Sequence, residues 1–239
     1  MTETRSFTLP AGAGVTVATS SGAVTVTAEA RDDVEASGRA VHAEWEDSGM
    51  TLVLGHTSQS IAVRCPIGTP VAVGTTSGHV RLTGRFGRVC VTSESGAIVV
   101  DEANGADLRT AGGSIDIATC TGPCRVTTAA GKINGGTTAS IHAHSMSGSI
   151  HIARVVGDVH ARTVSGAVEV HCCESADIDV RTVSGKVVIG LPDSVMPRLR
   201  LKTLGRVRSQ LQPGSDGTVE AVSVSGSIDV RAERARAKT

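Results

Sequence analysis

Tyrosine is absent from this 239-residue chain, and Phe7, Trp45 and Phe86 are its only benzenoid or indole rings. So few rings give no stacking platform for single-stranded nucleic acid or for sugar faces. The 23 basic and 23 acidic side chains cancel, so no overall field draws DNA or an anionic membrane. No apolar run approaches the roughly 20 residues of a membrane-spanning helix. The opening stretch, Met-Thr-Glu-Thr-Arg-Ser-Phe-Thr-Leu-Pro, has no apolar core of a secretory signal. The sequence therefore reads as cytoplasmic. Cys65, Cys90, Cys120, Cys124, Cys172 and Cys173 then read as reduced thiols.

Catalytic signatures are missing as well. There is no G-x-S-x-G elbow, no Walker A phosphate loop and no dinucleotide fingerprint. Gly112-Gly113-Ser114-Ile115-Asp116 lacks the register of a calcium-binding nonapeptide repeat. The spacing of Cys120 and Cys124 is not the common C-x-x-C of zinc sites, and Cys172-Cys173 supplies no second pair. Those thiols read as small buried hydrophobes or incidental surface groups. No cofactor is implied, and the chain does not read as an enzyme.

What the sequence does contain is one phrase used nine times. It runs Ser/Thr, any, small, Gly, any, Val/Ile, any, apolar. Its glycines are Gly22, Gly78, Gly96, Gly113, Gly131, Gly148, Gly166, Gly185 and Gly226. From Gly78 to Gly185 they recur every 17 to 19 residues, a period that marks a solenoid. After each glycine the chain alternates with period two, as in Gly148-Ser149-Ile150-His151-Ile152. Such alternation is a half-buried strand with Ile150 and Ile152 inward. A weaker copy follows about nine residues later, for example Gly157-Asp158-Val159-His160.

Each coil should therefore carry two strands and stack on the next at about 4.8 Å. The expected fold is all-β: a right-handed parallel β-solenoid of about 17–21 residues per coil. The hydroxyl three residues before each glycine should bond the corner backbone. Thr203-Leu204-Gly205-Arg206-Val207 reads as a degenerate coil between those of Gly185 and Gly226. Pro192 to Pro197 should bulge out.

Residues 1–74 read as an N-terminal antiparallel β cap, 75–230 as the solenoid and 231–239 as a basic flexible tail. Within the cap, Thr51–Leu54 and Ile61–Cys65 read as antiparallel strands, and Pro66–Pro70 as a turn. Trp45 and Phe7 are placed to plug the core's end. The coil at Gly226, followed by few residues, could leave an open edge with Arg231, Arg234 and Arg236 as its charged protection.

Candidate chemistry is confined to outward rows. His142, His160 and Asp179 each follow an inward residue, and their separations of 18 and 19 put them on one row. Two of them could share a metal, although a solvated polar face fits as well. Asp116 and Glu169 hold equivalent positions three coils apart, with Asn134 and His151 between them. That is too far for a paired acid–base site. Ser147, Ser165 and Ser184 recur identically, which suits corners rather than a unique nucleophile.

The phrase T-x-S-G-x-V-x-V resembles the bacterial DUF4097 family of adhesin-like β-repeat proteins. The resemblance rests on Thr163–Val170, Thr182–Ile189 and Ser223–Val230, and on the strand-then-proline stretch Ile61–Gly68. It implies a bacterial β-solenoid and no defined catalytic residues. The functional expectation is a non-catalytic scaffold or binding module facing a protein or cell-surface partner, not nucleic acid. The alternatives are a self-assembling structural β-helix that associates end to end, and an enzyme acting on cell-envelope polysaccharide.

Overall fold

The computed structural model describes residues 3–39, 42–46, 50–174, 177–212 and 214–233. Among these there are twenty-one strands and no helix. The chain divides into two compact units, 1–122 and 123–239.

The strands of the first unit are β1 (Glu3–Thr8), β2 (Gly14–Thr19), β3 (Val24–Glu29), β4 (Asp33–Gly38), β5 (His42–Glu46), β6 (Thr51–Thr57), β7 (Ile61–Pro66), β8 (Val71–Thr75), β9 (Val80–Ser93) and β10 (Ile98–Thr110). The next strand, β11 (Ile115–Thr128), contains the division. The second unit continues with β12 (Ile133–Ser145), β13 (Ile150–Val155), β14 (Val159–Ser165), β15 (Val168–Val170), β16 (Ile178–Ser184) and β17 (Val187–Pro192). It closes with β18 (Arg198–Lys202), β19 (Val207–Ser209), β20 (Thr218–Ser225) and β21 (Ile228–Glu233).

Each unit is built on two parallel ladders. In the first, the strands that follow the glycine corners pair Ile61 with Val24, Val24 with Val80, and Val80 with Ile98. The half-repeat strands pair Leu52 with Val15, Val15 with Val71, Val71 with Val89, and Val89 with Ala106. All of these side chains are buried. A narrow aliphatic interior of this kind suits β-branched residues. Phe86 is the one aromatic packed fully inside, 1% exposed. Trp45, at 40% exposed, does not plug the core, and Phe7 is only half-buried. The reason is local: both lie on antiparallel strands at the margin, each with a described strand partner on one side only.

The antiparallel pairs are β1 with β4, β4 with β7, and β5 with β6. Thr51–Leu54 and Ile61–Cys65 are thus antiparallel to β5 and β4 on one side, as the cap reading expects, and parallel to β2 and β3 on the other. They form a coil of the parallel stack, and β4 and β5 cover its outer edge. The Gly22 phrase also belongs to the stack: β2 and β3 lie between the β6/β7 coil and the β8/β9 coil. To leave that gap the chain steps over one coil between β7 and β8. The step is the short link Pro66-Ile67-Gly68-Thr69-Pro70. Gly68 holds φ +82° there, and the Thr69 hydroxyl donates to the Pro66 carbonyl at 2.7 Å.

The second unit repeats this device. Its corner ladder runs Ile133, Ile150, Val168, Val187, Ile228 and finally Val207. Its other ladder runs Ile141, Val159, Ile178, Val219 and finally Leu199. The Gly205 coil is therefore not between those of Gly185 and Gly226. The Gly226 coil sits between the other two, and Pro192–Pro197 is the link that steps over it rather than a bulge. In the second unit the two ladders end at β18 and β19, each with one described strand partner, and not at the Gly226 coil. Arg231–Glu233 are strand residues of β21; residues 234–239, with Arg234 and Arg236, lie outside the described residues.

The corners explain the phrase. The amide of Gly78 donates to Thr75 Oγ1 at 3.0 Å, that of Gly96 to Ser93 Oγ at 2.9 Å, and that of Gly148 to Ser145 Oγ at 2.8 Å. Some of these hydroxyls also donate to the glycine carbonyl of the coil alongside, as Thr110 does to Gly96 and Thr163 to Gly148. The glycines themselves are needed for proximity, not for a left-handed torsion. A Cβ on Gly96 would run into the Gly78 carbonyl, and one on Gly148 into that of Gly131.

Gly148→Ala must therefore displace backbone. It is expected to lower unfolding free energy by more than about 2 kcal/mol, whereas Ser149→Ala next to it stays within about 0.5 kcal/mol. Urea denaturation of the two variants reads the difference.

Candidate functional site

Corner hydroxyls and inward side chains serve the coil, so any site must use outward positions. In the second unit two outward rows concentrate titratable groups. The first lies on the half-repeat ladder. His142 stands opposite His160, and His160 opposite Asp179, as the spacing of 18 and 19 requires. The His142 and His160 rings lie 4.5 Å apart, centre to centre. Asp179 is held by guanidinium groups: Arg181 Nε at 2.9 Å and Arg162 at 3.6 Å, with His160 Nδ1 at 3.9 Å. Those cations occupy the carboxylate that a shared ion would need. One position along, His144 pairs in register with Arg162. Arg125, Thr127, His142, His144, His160 and Arg162 line a shallow depression of about 390 Å³. No carboxylate lines it.

The second row lies on the corner ladder. His151 stands opposite Glu169, and His151 Nδ1 is 3.5 Å from Glu169 Oε2. Just past β15, His171 brings its Nε2 to 4.0 Å from the same oxygen. The backbone departs from the repeat here. Cys172 adopts φ +49°, the left-handed region that a non-glycine residue enters at a cost of roughly 1–2 kcal/mol. Glu233 anchors the kink: Oε1 lies 2.8 Å from His171 Nδ1, and Oε2 accepts from the Cys172 amide at 3.1 Å. Gly190 makes room for that carboxylate, which a Cβ there would strike. At the rim, Arg154 pairs with Glu174.

The sequence placed His151 and Glu169 on one row but assigned them no role. His171 and Glu233 went unseen, because neither occupies a position of the repeated phrase. Cys172, on a kinked strand end, was the available sign that the phrase breaks there. As for the other thiols, Cys120, Cys124 and Cys173 are buried and Cys90 is exposed. Burial pushes the Cys65 thiol up to about 11.

His142 is held below the ordinary imidazole value. Burial is the main cause, followed by repulsion from His160, Arg125 and Arg162, with Asp158 acting the other way. The folded chain then holds this proton less tightly than the unfolded chain, so protonation favours unfolding. The stability due to neutral His142 is present above about pH 6.5 and is lost as pH falls through its lower folded value. The urea midpoint is expected to drop between about pH 7.5 and about pH 5.5, and to drop less in His142→Gln.

Comparison with known proteins agrees with the architecture. A solved structure of a candidate adhesin from Bacteroides fragilis shares 16% identity over 97% of each chain, with a TM-score of 0.52. At that identity the likeness shows the fold alone. A solved structure of a candidate cell adhesion protein from Clostridium sporogenes is 11% identical over 98% of this chain and 99% of its own, with a TM-score of 0.25. No curated protein matches the sequence. The family model described as Toastrack DUF4097 matches residues 6–235, and the chain belongs to that family.

Proposed function

We propose that the protein is a non-catalytic scaffold that binds a protein or cell-surface partner along an outward row of its coils. The depression lined by Arg125, His142, His144, His160 and Arg162 carries this reading. It is open and has Arg125 and Arg162 but no carboxylate in its lining, Asp179 pairing with Arg162 from beside it, so it suits an acidic segment of the partner. The corner hydroxyls of the repeated phrase support the same reading, since they are committed to the fold. Ser93, Thr110 and Ser145 are buried and accept from corner amides. The adhesin description of the Bacteroides fragilis structure is compatible with such a role.

Poly-glutamate serves as the probe. Immobilised protein is expected to retain it at low salt and release it as salt is raised. Arg125→Ala with Arg162→Ala should weaken retention about tenfold, the equivalent of 1.4 kcal/mol. Equal retention by wild type and double variant would remove this face from the proposal. Hydrolysis of glycan or ester substrates by the pure chain would overturn its non-catalytic part.

Pairing of the β18–β19 edge with the same edge of a second copy is disfavoured by charge. The segment from Arg198 to Ser209 carries Arg198, Arg200, Lys202, Arg206 and Arg208, with no acidic residue. Such an edge repels a copy of itself, a common protection of exposed strands. Light scattering is expected to give one mass across a hundredfold concentration range. A mass that rises with concentration would restore the assembly alternative.

A further inference from the structure

We propose that His151, Glu169 and His171 form a binding site for a divalent transition metal of the zinc type, with Glu233 as its supporting carboxylate. One ligand atom from each of the three lies within 4.8 Å of the other two. No other such trio of His, Cys, Asp or Glu is found among the described residues. This site is separate from the cationic depression and does not depend on it.

The donor set selects the class of ion. Two imidazoles and one carboxylate suit zinc and its transition-metal neighbours, whereas calcium and magnesium require oxygen ligands. The distances fit as well. Zinc bonds to nitrogen and oxygen are about 2.0–2.2 Å, so adjacent ligand atoms of a tetrahedron sit about 3.4 Å apart. His151 Nδ1 and Glu169 Oε2 already stand at 3.5 Å. His171 Nε2 and the same oxygen, at 4.0 Å, need close by only about half an ångström.

The surroundings orient the donors. Glu233 Oε1, 2.8 Å from His171 Nδ1, accepts a hydrogen bond from that nitrogen and so keeps the proton there. In the neutral ring, the Nε2 lone pair is then left facing Glu169. A lone pair and a carboxylate oxygen facing each other call for a cation between them. A carboxylate on the far nitrogen of a metal-binding histidine is the usual way to fix its tautomer and raise its basicity. Three features hold Glu233 in that place: the β17–β21 register that sets Pro192 beside it, the missing side chain of Gly190, and the Cys172 amide. All three ligands remain partly open to solvent, so an ion there would keep a position for water or a partner's group.

The rival account is that both imidazoles are simply protonated and paired with Glu169 and Glu233. Metal titration separates the two. Chelator-treated protein is titrated with cobalt(II), followed by visible absorption, and the cobalt is then displaced with zinc. The expected result is one ion per chain, with the intense visible bands of a four-coordinate site. His151→Gln, Glu169→Gln and His171→Gln should each weaken uptake at least tenfold. Glu233→Gln should weaken it ten- to a hundredfold. His142→Gln and His160→Gln should leave it unchanged. Zinc should raise the melting temperature of wild type and not of the three ligand variants. Circular dichroism checks that each variant is folded, and Glu169→Gln, on a half-exposed strand position, is the variant least exposed to that concern. Absence of one-equivalent uptake in wild type would overturn the proposal. So would uptake that persists in folded Glu169→Gln and His151→Gln.

Discussion

The close approach of backbone to backbone at the glycine corners is the constraint on which the rest depends. Where Gly96 meets Gly78, or Gly148 meets Gly131, no atom separates one coil from the next. That contact lets parallel strands on both sides keep ladder spacing without a bulge at the bend. It also fixes where the preceding hydroxyl must be, since Ser93, Thr110 and Ser145 bond the corner amides from inside. The hydroxyls are thereby withdrawn from chemistry. A repeat that satisfies its own polar groups in this way leaves only outward positions for function.

The phrase made the ladders legible because it records a local requirement. Any Thr-x-Ser-Gly-x-Val stretch must turn a corner and then bury its valine, wherever its coil lies. For the same reason the phrase says nothing about which coil is neighbour to which. Gly205 and Gly226 announce equivalent corners, and only packing decides that Gly226 rather than Gly205 sits against Gly185. The sequence does hold a trace of that choice. Both places where the chain skips a coil are bounded by two prolines, Pro66 with Pro70 and Pro192 with Pro197. Proline cannot donate to a ladder, so it suits a segment that crosses a coil without joining it. Read locally, those prolines signalled a turn and a bulge.

The candidate sites divide along the same line. The His142, His160 and Asp179 row was legible because all three hold one phase of the repeat. The His151–Glu169 pair was legible as a row for that reason too. Its completion was not, since His171 and Glu233 are 62 residues apart and meet only because β21 lies directly beside β17. The displaced coil therefore does more than close the stack. It carries Glu233 to a place that the simple order of coils would have given to another strand. Trp45 failed as a core residue for a related reason: its strand pairs antiparallel at the margin, outside the interior that the phrase defines.

The skipped coil also sets an order in time. During synthesis, residues 198–209 emerge before 218–233, yet β18 and β19 have only β20 and β21 as described strand partners. The earlier segment must wait, unpaired, for the later one to slide in beside β16 and β17. Chains are made at roughly 5–20 residues per second, so the delay lasts on the order of seconds, ample time for a bare strand edge to find a wrong partner. The five cations of that segment then have a use before the fold is complete, keeping an unfinished edge solvated until its own coil arrives.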